Sequence, residues 1–148
     1  MSKPTALETL IELAQARTDD AARRLGVLNT QNTDIEAKLA LLLQYYDEYH
    51  MRFQTSMRHG LTASDWRNYR EFLDKLDVAI AQQREILALI QQRVTAGQAA
   101  WQTARRTLTS YDTLAQRQMR AALLHAARCE QKQTDEQVTN TAARKGSA

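Results

Sequence analysis

A seven-residue apolar repeat constrains this chain more than any other feature. From Leu7, alternate steps of four and three reach Leu7, Ile11, Ala14, Thr18, Ala21, Leu25, Leu28, Asn32, Ile35, Leu39, Leu42, Tyr46, Tyr49 and Phe53, and only Thr18 and Asn32 are polar. A 3.5-residue spacing held this long keeps one stripe of a helix against a partner helix, the signature of a coiled-coil seam. Asn32 at a seam position costs stability and can fix the register.

The repeat stops near Met57, at Arg58-His59-Gly60-Leu61-Thr62-Ala63-Ser64-Asp65. Gly60 can adopt the left-handed conformation that closes a helix, and Thr62 with Asp65 resembles a capping box with Asp in place of Glu. Asp65 also suits the positive end of the next helix dipole. A second repeat then runs Trp66, Tyr69, Leu73, Leu76, Ile80, Gln83, Leu87, Ile90, Val94, Gly97, Trp101, Ala104, Leu108, Tyr111, Ala115, Gln118 and Ala122. Gly97 lies inside it with no Pro or capping cluster, as a point of close contact or a mild weak spot.

Two long helices joined by one short turn fold back as an all-α, antiparallel two-helix coiled-coil hairpin. Residues 1–138 form it, with helix 1 at about 5–57, the turn at about 58–64 and helix 2 at about 65–138. The first arm measures about 75 Å at 1.5 Å per residue, and the second overhangs it by about two or three turns. Residues 139–148 (TNTAARKGSA) have no apolar stripe and are expected to be a flexible tail.

Composition supports the same class. The chain has 148 residues with Gly 4 and Pro 1, where average usage gives about 17 of the two together. A β-sandwich or doubly wound α/β fold needs more turn residues than that. Cys129 alone rules out an internal disulfide framework. No run of 18 apolar residues occurs and the start MSKPTALETL lacks a signal-peptide core, so the expectation is a cytoplasmic protein without direct membrane insertion. The net charge is +3 but unevenly placed: residues 1–100 carry 12 basic and 13 acidic side chains, residues 101–148 carry 8 and 4. Such a surplus reads first as a solvated helix face.

The sequence offers no enzyme chemistry. Its glycines, at 26, 60, 97 and 146, match neither phosphate-loop nor dinucleotide spacing, and no HExxH occurs. His125 and Cys129 stand four apart on one helix face, but two ligands do not make a structural zinc site. Asp19-Asp20 and Asp47-Glu48 are adjacent in sequence, so on a helix they point about 100° apart. A two-helix rod also offers no enclosed pocket. No catalytic residue, metal or cofactor is expected.

Two surfaces stand out as partner sites. Leu42, Tyr45 and Tyr49 on helix 1 and Phe72, Leu76 and Ala79 on helix 2 form two short stripes. With the turn near Gly60, opposed residues have numbers adding to about 121, so Tyr49 meets Phe72, Tyr45 meets Leu76 and Leu42 meets Ala79. Tyr45, Phe72 and Ala79 exceed what a two-stranded seam requires. They read either as a thicker core near the turn or as an aromatic-apolar patch for a protein partner. The second surface is basic: Arg17, Arg23 and Arg24 on helix 1, with Arg105, Arg106, Arg117, Arg120 and Arg128 on helix 2, fall in the free-end half. Arginine's planar fork suits carboxylate or phosphate partners. The aromatic among these arginines, Tyr111, belongs to the seam repeat rather than to the basic face, so nucleic acid is not the expected partner.

Several stretches resemble the flagellar FliJ family, and the resemblance rests on their residues off the seam, including Glu8, Asp19-Asp20, Gly26, Gly60 and Asn68. The stretches are Ala6-Leu7-Glu8-Thr9-Leu10, Leu13-Ala14, Asp19-Asp20-Ala21-Ala22-Arg23 and Leu25-Gly26 at the start. Glu48-Tyr49, Gly60, Trp66, Asn68-Tyr69 and Phe72 follow, then Ala121-Ala122-Leu123-Leu124, Gln131-Lys132 and Asp135-Glu136. The resemblance is collinear over nearly the whole chain. It implies a non-enzymatic part of the flagellar type III export apparatus, shaped like the rotor stalk of rotary ATPases and peripherally associated with the inner membrane. Implied partners are the hexameric export ATPase, whose assembly and activity the rod promotes, the cytoplasmic domain of the export-gate membrane protein, and export chaperones. It also implies that Leu42, Tyr45, Tyr49, Phe72, Leu76 and Ala79 are the gate-binding face. Lys38 and Gln83 depart from the family pattern, which has Gln and His there. The arginine-rich end, with Arg17, Arg23, Arg24, Arg117 and Arg120, is then the expected ATPase-binding end. A structural coiled-coil adaptor or homodimer without an ATPase partner is the alternative.

Overall fold

The computed structural model describes Lys3 and residues 5–147. It contains two α-helices, α1 (Ala6–Arg58) and α2 (Ala63–Gly146), packed against each other as an antiparallel hairpin, with no strand among the described residues. The chain divides into two compact units, one made of Met1–Arg17 with Ala104–Ala148 and the other of Thr18–Thr103.

Each helix begins on chemistry written locally in the sequence. At the start of α1, the Thr5 hydroxyl accepts the Glu8 amide at 3.2 Å, and the Glu8 carboxylate accepts the Thr5 amide at 3.0 Å. This reciprocal box satisfies two amides that a helix start leaves without partners. α1 closes at Gly60, whose φ of 87° lies in the left-handed region that glycine enters without strain. Thr62 restarts the chain: its hydroxyl accepts the Asp65 amide at 3.1 Å and its carbonyl accepts the Trp66 amide at 3.0 Å.

In the second unit, Thr18–Thr103, the core is a seam. Every repeat position of α1 from Thr18 to Phe53 is buried or half-buried, and only Leu43 and Ser56 join them from that helix. On α2, Tyr69 through Trp101 are withdrawn from solvent at every repeat position, with Ala79 the one addition. Trp66, expected in the seam, is 44% exposed and lies near the end of the hairpin, where α1 stops at Arg58. The deepest side chains are Leu73, Leu76, Ile80 and Ile90, at 6–7% exposure. Among the described residues no large side chain reaches full burial, since a two-helix interface leaves one flank of each residue open. A Cβ at Gly97 would lie 3.2 Å from Leu28 Cδ1 and 3.4 Å from Leu25 Cδ1, so the glycine marks close approach.

In the first unit, Leu7, Ile11 and Ala14 on α1 and Ala104, Leu108, Tyr111 and Ala115 on α2 are withdrawn from solvent. Every described residue from 116 onward is exposed, so Gln118 and Ala122 are not seam residues. The expected overhang of two or three turns is in fact the 31 residues from 116 to 146, about 46 Å of helix. The expected tail from 139 is helical as far as Gly146. Good helix formers account for this: Ala142-Ala143-Arg144-Lys145 puts two cations in the last turn, where the helix dipole favours them.

Candidate partner-binding surfaces

Near the turn the two short stripes sit in the second unit. Leu76 is buried at 7%, Leu42, Tyr49 and Ala79 are half-buried, and Tyr45 and Phe72 are 44% and 37% exposed. The expected pairing of Tyr49 with Phe72 is present: their ring centroids lie 4.1 Å apart with the planes tilted by 31°. Tyr69 extends the cluster, with its ring 6.5 Å from Tyr49 and 5.7 Å from Phe53, and its hydroxyl 3.4 Å from Ser56 Oγ. Tyr49, Asp65, Asn68, Tyr69 and Phe72 line a shallow concavity of about 350 Å³.

The thicker-core and exposed-patch readings therefore apply to different residues. Leu76 serves the seam, and Tyr49 bridges the seam and the surface. Tyr45 and Phe72 present apolar area that no side chain of this unit covers. Arg52 joins this surface, its guanidinium carbon 5.6 Å from the centre of the Tyr49 ring, a cation–π distance. Sequence reasoning passed over Arg52, although its spacing of three from Tyr49 places both on one helix face. Lys38 is exposed and Gln83 half-buried.

The arginines divide between the units. Arg17, Arg117 and Arg120 fall in the first, Arg23 and Arg24 in the second, and all five are exposed. Arg24 pairs with Asp20 of its own helix at 3.1 Å, an exposed contact worth about 0.3–0.5 kcal/mol. Arg117 and Arg120 stand on the extension beyond Ala115, with no acid between Asp112 and Glu130. Met119, Leu123 and Leu124 of the same stretch are 59–68% exposed, so cations and apolar side chains are offered together.

A second, larger concavity of about 630 Å³ opens at the turn, lined by Met57, Leu61, Thr62, Ala63, Trp66 and Arg67. His125 Nε2 lies 3.7 Å from Cys129 Sγ on an exposed face. No group of three or more His, Cys, Asp or Glu side chains is placed to hold a metal ion among the described residues.

These features define an antiparallel coiled-coil hairpin that leaves apolar and basic side chains exposed along both helices. The chain belongs to the flagellar FliJ family: the family described as Flagellar FliJ protein matches residues 2–147. A Flagellar FliJ protein of Salmonella typhi is 37% identical over 145 residues, covering 98% of this chain and 99% of the relative. One from Escherichia coli (strain K12) is 36% identical over 145 residues, with the same coverage of each chain.

Proposed function

We propose that this chain is a non-enzymatic component of the bacterial flagellar type III export apparatus, acting as a stalk-like rod on the hexameric export ATPase. The observation that carries this reading is the full-length match to flagellar FliJ proteins in a chain folded as an antiparallel helical hairpin. The exposed cations and apolar side chains of residues 116–129 supply the ATPase-binding end. Tyr45, Tyr49 and Phe72, with Leu42, Leu76 and Ala79 beneath and beside them, supply the face for the export-gate membrane protein's cytoplasmic domain. Export chaperones are the third partner class, and gate binding holds the rod peripherally at the inner membrane.

No chemistry is required of the rod. A protein that binds the assembled ring better than free subunits shifts assembly by mass action, and apparent ATPase activity rises with the population of rings. The test is ATP hydrolysis by the cognate export ATPase with and without the full chain, alongside sizing of the ring. Stimulation with more hexamer is expected. No change in either, from protein of normal helicity, overturns the stalk and favours the adaptor reading, for which a mass of about twice 16.9 kDa marks a dimer.

A further inference from the structure

The hairpin turn carries more exposed apolar surface than its folding role explains. Leu61 precedes the Thr62 cap and Trp66 follows it by four residues, the spacing of a hydrophobic staple that sets the entry angle of a helix. A staple accounts for one flank of each ring or chain. Yet Trp66 remains 44% exposed and Met57 53% exposed, and both face the concavity that Leu61 lines.

Charge at this tip departs from its surroundings. Residues 49–70 hold four arginines, Arg52, Arg58, Arg67 and Arg70, and one acid, Asp65. The larger stretch 1–100 has one more acid than base, so the tip is a cationic island on an otherwise slightly acidic part of the chain. Arg67 lines the concavity with the exposed Trp66 and Met57, and Arg58, the last residue of α1, follows Met57 in the chain.

We propose that the hairpin tip is a contact site for anionic phospholipid, with Trp66 and Met57 at headgroup depth and Arg58 and Arg67 on lipid phosphates. Two features favour a bilayer over a protein partner. Three apolar side chains fall far short of the roughly 800 Å² per partner that a stable protein interface buries. A membrane contact needs only a few amphipathic anchors plus basic side chains within reach of the surface, and Trp is enriched at that depth. The contact is peripheral: no helix among the described residues is long and apolar enough to cross a membrane. It does not depend on which protein the rod binds.

The test is sedimentation of the full chain with vesicles of phosphatidylglycerol and phosphatidylethanolamine, against vesicles of phosphatidylcholine alone, with tryptophan emission read in parallel. Binding to the anionic vesicles is expected, weakened by salt and accompanied by a blue shift. Trp66→Phe removes the shift while Trp101 still emits. Arg58→Glu with Arg67→Glu weakens binding by about tenfold or more, at unchanged helicity. Absence of binding to anionic vesicles overturns the proposal, as does equal binding to phosphatidylcholine. Binding that survives the tip charge reversal but fails in Arg117→Glu with Arg120→Glu overturns it too, by moving the contact to the C-terminal extension. Loss of gate-domain binding in Trp66→Ala, with no vesicle binding by the parent chain, would assign the tip to a protein.

Discussion

Asn32 is the residue where the seam is least satisfied. Its Nδ2 donates to Glu36 Oε1 at 3.1 Å, but Oδ1 is buried without a hydrogen-bond partner. A buried acceptor left unmatched costs about 1–3 kcal/mol, and a polar side chain in a seam can restrict the register in return. Asn32→Leu is therefore expected to raise stability by about 1–2 kcal/mol, read as a higher midpoint in urea or heat. An unchanged or lower midpoint would show that the amide contributes more to holding the register than its orphan carbonyl costs. The polar break was legible from the heptad alone. The orphan atom was not, because whether a carbonyl finds a donor depends on what the opposite helix places there. The same holds at Gly97, where the sequence left close contact and weak spot both open until the Leu25 and Leu28 methyl groups were located.

Among the elements, α2 sets the strongest contrast. From Tyr69 through Ala115 its repeat positions are withdrawn from solvent, and from residue 116 its backbone has only its own hydrogen bonds to hold it. An isolated helix in water is marginal even for good helix formers, because packing supplies most helical stability. Amide hydrogen exchange should thus show strong protection at Leu73, Leu76, Ile80 and Ile90, and protection lower by orders of magnitude beyond about residue 120. Uniform protection to Gly146 in the free chain would mean that the extension has found a partner, a second copy included. The sequence puts the start of this element at about 65 and the helix begins at Ala63, beside Gly60 and the Thr62 cap, which act locally. It misplaced the end, because helix propensity continues where the apolar stripe no longer has an opposite helix.

For the whole molecule, the two proposed protein-binding surfaces fall in different units, the aromatic face in Thr18–Thr103 and the Arg117–Arg120 extension in the other. Substitutions with no shared partners act independently. Tyr45→Ala with Tyr49→Ala is expected to weaken gate binding by about tenfold or more, in line with anchor tyrosines at interfaces, and to leave ATPase stimulation intact. Arg117→Glu with Arg120→Glu should do the reverse. Calorimetry and an ATPase assay on both variants check this. Loss of both functions in either variant would mean that one surface serves both partners.

The sequence by itself determined the helices, the single reversal at Gly60 and the identity of nearly every seam residue. Those are properties of periodicity, capping and φ preference, which act over a few residues. Only the tertiary structure decided where the seam ends, which of the six stripe residues remain exposed, and that Met57, Leu61 and Trp66 meet around one concavity. Burial depends on whether another helix stands opposite, and a heptad continues past that point unchanged.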